Sequence, residues 1–423
     1  MLYHLYELNQ AALTPARAAA DAYRLLFRNP LNPAAYTPLG RSAAAVLEMF
    51  ERTTRRYRKP EWGIADTLVS GRKVAVHERT VLSKPFCNLI HFERDVSAWR
   101  RHRDPKLLIV APLAGHYPTL LRGTVRDLLP DHEVYITEWQ DARFVPRNDG
   151  PFDLDTYIDY IIDFLRFFRG NVHIMGVCQP TVPVFAAVSL MEGMNDPAVP
   201  RSMILMAGPI DARESPTAVN EFAKGRSLNW FRHNVITQVP WPYPGMMRLV
   251  YPGFLQLSGF MGMNFDRHVT AHRELFHNLI KGDGDSADKH REFYDEFLAV
   301  MDLTAEYYLQ TIETVFLEHK LPRGLMVHRN TLVDPGKIHR VGLMTVEGEK
   351  DDISGLGQTY AAQTLCTSLP PSMREHHMQA GVGHYGVFNG SRFRGEIAPK
   401  IRDFIKTHQR RRGILARAFG RAA

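Results

Sequence analysis

The sequence predicts an α/β fold, a mostly parallel sheet with helices on both faces. Three observations carry that prediction. Leu107-Leu108-Ile109-Val110-Ala111 and Ser202-Met203-Ile204-Leu205-Met206-Ala207 are short continuous apolar runs, the pattern of strands covered on both sides. Helix-period stretches alternate with such runs, as a parallel sheet with crossover helices requires. A third run, Val172 to Val177, enters the turn Gly176-Val177-Cys178-Gln179-Pro180 and passes at once into a helical pattern from Thr181 to Val188. A strand turning that sharply into a helix lifts one side chain, Cys178, clear of the backbone at the sheet edge.

In chain order, Thr14-Pro15 predicts a helix start, with helix over Ala16 to Phe27 and a stop at Asn29-Pro30. Thr37-Pro38 repeats the opening for a helix through Ala43 to Arg56, so 1–65 reads as a helical N-terminal segment. From residue 66 the period changes. Val74-Ala75-Val76, Leu89 to Phe92 and Val134 to Thr137 read as further strands, and Leu154 to Phe168 as a helix. The first part of the sheet unit spans 66–211. A largely helical insertion, rich in aromatic residues and methionines, spans 212–330 and reads as a cap over the strand ends. Lys281 to Asp285 looks like an exposed loop within it. Strands resume at Val341 to Val346 and Glu375 to Met378 within a second sheet part, 331–409, and 410–423 is a basic tail.

Composition narrows the function. The chain has 423 residues, 45% of them hydrophobic, so a sizeable core is available. The formal charge of +7 is diffuse, and neither zinc-finger spacing nor an aromatic RNA-binding stretch accompanies it, so nucleic acid is not expected as a partner. Three cysteines, Cys87, Cys178 and Cys366, argue for a reducing compartment rather than a disulfide scaffold. Met1 to Gln10 carries polar residues through what a signal core would keep apolar, and no run approaches a membrane span. Cytoplasm is the expectation.

A cysteine nucleophile needs a base, an orienter for that base, and donors for the oxyanion. In an open α/β sheet these converge at the carboxyl ends of strands. Glu347-Gly348-Glu349-Lys350-Asp351-Asp352 follows the strand at Val341, and Gly383-His384-Tyr385-Gly386 follows the strand at Glu375. Nucleophile, acid, histidine is the chain order of the α/β-hydrolase fold. The expected roles are His384 as base and acid and Asp351 as its orienter, with Asp352 left open by the spacing, and Glu347 or Glu349 as lesser substitutes. The Gln179 backbone N–H is the expected first oxyanion donor. Leu113 or Ala114, after the strand at Leu107, supplies the second. His116, in the same loop, reads as a loop-ordering or substrate-side residue. Trp230, Phe231, Trp241, Tyr243 and nearby methionines are the candidate lining of an apolar groove. Cys87 and Cys366 read as core, and His376 and His377 as structural.

From Met1-Leu2-Tyr3 through Pro112-Leu113-Ala114-Gly115-His116-Tyr117-Pro118-Thr119 to the final helix, the chain resembles the intracellular poly(3-hydroxybutyrate) depolymerases. Gly176-Val177-Cys178-Gln179-Pro180 is the most specific piece, because a cysteine with a terminal proline is unusual for the fold. Glu349-Lys350-Asp351-Asp352-Ile353 and Gly383-His384-Tyr385-Gly386 resemble that family's acid and histidine segments. The resemblance implies a Cys178, Asp351, His384 triad and hydrolysis of a storage polyester at the surface of lipid-coated granules. No metal and no required cofactor are expected, and the sequence leaves coenzyme A open as acyl acceptor and a homo-oligomer open. Polyester synthases use the same triad, but their elbow usually ends in glycine, so Pro180 tilts the expectation toward degradation. A synthase or acyltransferase is the rival enzyme, and a granule-coat protein on a relic fold is the rival without catalysis. The basic tail, Arg410 through Phe419, reads as a frayed terminus or as a contact to an anionic granule.

Overall fold

The computed structural model describes residues 2–96, 104–263, 265–281 and 284–419. Strands β1 (Asp66–Val69), β2 (Arg72–Lys84), β3 (Cys87–Arg94), β4 (Lys106–Val110), β5 (Glu133–Trp139), β6 (His173–Val177) and β7 (Ser202–Met206) form most of the main sheet. Five shorter strands lie in the segment that follows. β8 (Thr237–Gln238), β9 (Leu249–Tyr251) and β10 (Leu303–Thr304) make a small antiparallel sheet, and β11 (Val327–His328) pairs with β12 (Thr331–Leu332). The main sheet is completed by β13 (Gly342–Gly348) and β14 (Arg374–Gln379).

Its order is β1-β2-β3-β5-β4-β6-β7-β13-β14. From β5 to β14 neighbouring strands are parallel, whereas β1, β2 and β3 pair antiparallel and β3 joins β5 antiparallel. β5 lies on one side of β4 and β6 on the other, so the chain changes direction across β4. A crevice opens outside the carboxyl ends of strands at such a point. This order, with a sharp turn after β6, is the α/β-hydrolase fold.

The central strands are buried residue by residue: Leu107 to Val110, His173 to Val177 and Ser202 to Met206 are all in the core. Helix α1 (Leu2–Arg28) and helix α2 (Pro38–Thr54) make an N-terminal pair packed on each other. Helices α3 (Arg122–Leu128), α4 (Leu154–Phe167) and α5 (Thr181–Gly193) are crossovers. Asp153 caps α4 by accepting the Thr156 N–H at 2.7 Å. Every residue of α5 from Thr181 to Glu192 is buried, which is why this helix is apolar all round rather than striped. Between β7 and β13 run α6 (Ala218–Lys224), α7 (Leu228–Asn234), α8 (Gly253–Met263), α9 (Phe265–Lys281), α10 (Gly284–Phe297) and α11 (Ala305–Thr311). The final helix covers Ala398–Phe419.

One local expectation is corrected. Thr14-Pro15 does not open a helix, because α1 already starts at Leu2 and runs through both residues. The Thr14 hydroxyl and the Arg17 guanidinium both donate to the Gln10 carbonyl, at 2.9 and 2.8 Å. Side chains thus supply donors beside the turn that Pro15 leaves short of one. Strand β1 was not anticipated. It is one arm of a hairpin closed by Ser70 and Gly71, both with positive φ, the geometry that matches strand twist in a two-residue turn. The exposed loop expected at Lys281 to Asp285 falls partly outside the described residues, between the ends of α9 and α10. Side chains of the basic tail also lie outside them. Thr37 does open α2, accepting the Gly40 N–H at 3.0 Å.

Candidate active site

Cys178 sits on the turn between β6 and α5 with φ +67°, a left-handed backbone costly for a residue with a Cβ. The turn is held from outside: the Cys178 N–H donates to the Met206 carbonyl at 2.7 Å and the Thr181 N–H to the Cys178 carbonyl at 3.1 Å. Pro180 has αR backbone and immediately precedes α5, and Pro183 occupies its first turn, where a missing N–H breaks no helical bond. Gly176 is closely packed: a Cβ there would stand 3.3 Å from the Pro180 carbonyl and from Thr181, so the turn would have to give slightly. Gly208, just past β7, is tighter still. A Cβ on it would fall 1.9 Å from Thr181 Oγ1 and 2.3 Å from the Cys178 carbonyl oxygen.

The expected base and acid segments converge on this turn. His384 is 4% exposed and its Nδ1 meets both Asp351 oxygens, Oδ2 at 2.8 Å and Oδ1 at 3.0 Å. Asp351 Oδ1 also accepts the backbone N–H groups of Ile353 at 2.9 Å and Ser354 at 2.8 Å. These bonds turn the Asp351 carboxylate inward, while Asp352 is exposed. Of the two, Asp351 is the one that bonds His384. Burial pulls the His384 imidazole toward its neutral form. The charge on Cys178, hydrogen bonds to Asp351 and Cys178 and the Asp351 charge outweigh that pull and push it up to about 10. An imidazole held so high keeps its proton at neutral pH, between a sulfur and a carboxylate.

The other carboxylates have different work. Glu347 accepts the N–H groups of Gly357, Thr359 and Tyr360 and so ties down the segment after β13. Glu349 accepts the Gly381 N–H at 2.6 Å. Cys87 and Cys366 are buried and free, and burial pushes both thiols up, Cys366 to about 12. His376 bonds Thr345 and His377 bonds Gln379.

Cys178 and His384 face a cavity of about 560 Å³. Leu113, Ala114 and Gln179, expected to carry the oxyanion donors, line it. The Gln179 backbone N–H has no partner among the described residues, whereas the Leu113 N–H donates to Gln179 Oε1 at 3.4 Å. His116 also lines the cavity. Its Nε2 lies 3.0 Å from the Phe297 carbonyl. Burial pulls this imidazole down to about 4 against that bond, so it is neutral and ties the loop to α10.

Of the four aromatic residues expected to line a groove, Phe231 does so. Trp230 stacks edge-on against Phe231 and Phe222 from outside. Trp241 and Tyr243 are corrected. Trp241 is 79% exposed and away from the cavity. The Tyr243 hydroxyl accepts from Arg56 Nη1 at 2.6 Å and donates to Glu7 at 3.2 Å, so this ring ties α1 and the chain just after α2 to the inserted segment. No methionine lines the cavity among the described residues. The aromatic wall also includes Phe222, Phe260, Phe316 and Phe388, with Tyr251, Tyr307 and Tyr308. Among the lining residues described, none is Lys or Arg, and no described cluster of His, Cys, Asp or Glu is fit to hold a metal ion. No described helix is long and apolar enough to cross a membrane.

Gly208 and Tyr307 were missed. Gly208 had a signal, since Ala207-Gly208-Pro209 ends the strand beside the elbow. Tyr307 had none, because its place depends on how the inserted segment folds back.

A family model described as "PHB de-polymerase C-terminus" matches residues 207–409. The poly(3-hydroxyalkanoate) polymerase subunit PhaC of Haloferax mediterranei is 22% identical over 335 residues, covering 75% of this chain and 61% of that protein. The chain thus spans about three fifths of the length of that relative. Among solved structures, a putative lipase from Acinetobacter baumannii AYE has 12% identity and a TM-score of 0.43, covering 78% of this chain and 93% of its own. A serine hydrolase from Cycloclasticus zankles has 13% identity and a TM-score of 0.43, covering 78% and 98%.

Proposed function

We propose that this chain is a thiol-dependent acyl-transfer enzyme acting on poly(3-hydroxyalkanoate)-type esters, with water as the acceptor. The observation that carries the reading is the sequence of contacts Asp351, His384, Cys178, with His384 and Cys178 lining an apolar cavity. The Cys178 thiolate attacks the ester carbonyl carbon, and the oxygen takes up negative charge beside the backbone N–H groups of Gln179 and Leu113. Collapse breaks the C–O bond, and the departing alkoxide takes the proton from His384. The acyl group is then a thioester on Cys178. His384, now neutral, takes a proton from water as it attacks. The thioester breaks, releasing a 3-hydroxy acid or short oligomer, and the thiolate–imidazolium pair is restored. Asp351 holds the ring in the orientation this needs.

An uncharged aliphatic polyester suits walls of phenyl rings with a few hydroxyls. The depolymerase family description supports a polyester substrate. The likeness to the polymerase subunit favours a second reading, and favours it more than it favours hydrolysis. There Cys178 takes a hydroxyacyl group from a coenzyme A thioester, and a chain-end hydroxyl takes it onward. Hydrolysis is supported by Pro180 at the elbow and by cavity walls whose described residues offer no Lys or Arg to coenzyme A phosphates. Incubation with 3-hydroxybutyryl-coenzyme A and, separately, with amorphous poly(3-hydroxybutyrate) tests the direction. The hydrolytic reading expects soluble 3-hydroxybutyrate or oligomers from the polymer. Polymer growth with coenzyme A release overturns it in favour of the synthase. Binding of polymer with neither reaction leaves the coat-protein reading.

A further inference from the structure

The Leu113 N–H is the second oxyanion donor of the proposed reaction, yet it is already engaged. Its partner is a carbonyl oxygen, Gln179 Oε1, 3.4 Å away. That is a long hydrogen bond, weaker than the 2.7–3.2 Å range typical of N–H to oxygen. The Tyr307 hydroxyl donates to the Leu113 carbonyl at 3.1 Å. Both backbone polar groups of Leu113 are thereby held by two side chains, one next to the nucleophile and one on α11. Tyr307 is 1% exposed, so the arrangement has a rigid anchor. All three residues line the cavity.

We propose that the Gln179 side chain is an internal occupant of the oxyanion pocket, a carbonyl that the substrate carbonyl must displace, on a Leu113 backbone that Tyr307 fixes. The proposal rests on the reading of Cys178 as nucleophile. Gln179 then contributes twice to the same site: its backbone N–H stabilises the oxyanion, and its side chain sets how readily an ester reaches it. A weak bond given up on binding raises the substrate concentration the enzyme needs without slowing the chemical step, because it is absent from both the bound ground state and the transition state. Removing it therefore lowers KM and leaves kcat in place.

The test uses the full chain, p-nitrophenyl butyrate as substrate and butyraldehyde as inhibitor. Thiolate addition to the aldehyde carbon puts negative charge on its oxygen, in the oxyanion pocket. Gln179→Met keeps length and removes the carbonyl. It should lower both KM and the aldehyde inhibition constant by about two- to tenfold, the span of one modest hydrogen bond, with kcat held. Gln179→Glu puts a carboxylate in the same place and should raise both constants. Opposite shifts in two variants are not what a shared folding defect produces. Unchanged constants in Gln179→Met, or a fall in kcat at constant KM, overturn the proposal. Cys178→Ala, run alongside, separates the two claims. If it is inactive while Gln179→Met is unshifted, only the occupant role falls; if it retains turnover, the nucleophile reading falls first.

Discussion

Nδ1 of His384 is shared by both oxygens of Asp351, at 2.8 and 3.0 Å, and the same carboxylate accepts two backbone N–H groups from its own loop. The carboxylate is therefore fixed before the histidine meets it. Asp351→Asn should cut ester turnover by about three to four orders of magnitude, as loss of the orienting acid does in other triads. Asp352→Asn, at an exposed carboxylate, should stay within about threefold. Steady-state kinetics on p-nitrophenyl butyrate checks both, and the reverse pattern would move the role one residue along.

Gly208→Ala should disable the enzyme although it touches no substrate. Its Cβ would collide with Thr181 Oγ1 and the Cys178 carbonyl, so either the elbow or β7 must shift, at a cost of about 1–3 kcal/mol. Gly395→Ala, where a Cβ meets nothing within 4 Å and which does not line the cavity, should lose neither stability nor activity. Denaturant midpoints and turnover of the two variants make the comparison.

The cavity wall predicts which aromatic residues matter to a substrate chain. Phe222 is partly exposed and lines the cavity, so Phe222→Ala should raise KM for hydroxybutyrate oligomers several-fold. Trp241→Ala should not change it. Equal effects from the two variants would mean that the chain runs beyond the cavity and over Trp241.

Several histidines are buried in neutral form. Burial pulls His132 down to about 4, against the Leu128 hydrogen bond and the Asp131 and Asp104 charges, and His173 to about 3, against the Gln409 hydrogen bond. Both folded values lie below the unfolded value of about 6.5, so the unfolded chain binds the proton more readily. Their contribution is fully present above about pH 6.5 and is lost as pH falls toward 4, by about 3 kcal/mol for His132. His384 has the opposite sign. Its folded value is raised, so its contribution is full below about pH 6.5 and fades as pH rises through about 10. Urea melts from pH 4 to 10 should show both slopes. His132→Asn should flatten the acid limb and His384→Gln the alkaline one.

Much of the fold was legible because single features decided it. Continuous apolar runs marked β4 and β7, and Thr37-Pro38 fixed the start of α2. The glycine, cysteine and proline of the elbow placed Cys178 on a strand-to-helix turn. Local signals failed where distant contacts took over. Thr14-Pro15 carries a good start signal, yet α1 packs along α2 and runs through it. Asp351 and Asp352 are indistinguishable in sequence, and two loop N–H groups choose between them. Trp241 and Tyr243 were drawn to the substrate by composition alone. Tyr243 is bound instead to Arg56 and Glu7, partners 187 and 236 residues away in the chain, which no local pattern discloses.

The central claim is that the acyl group passes through the sulfur of Cys178. Brief exposure to 3-hydroxybutyrate oligomers, an acid quench and peptide mass spectrometry test it most directly. The account predicts a 3-hydroxybutyryl adduct on the peptide carrying Cys178, absent from Cys178→Ala, which should also have no turnover. An adduct on another residue, or full turnover by Cys178→Ala, would contradict it.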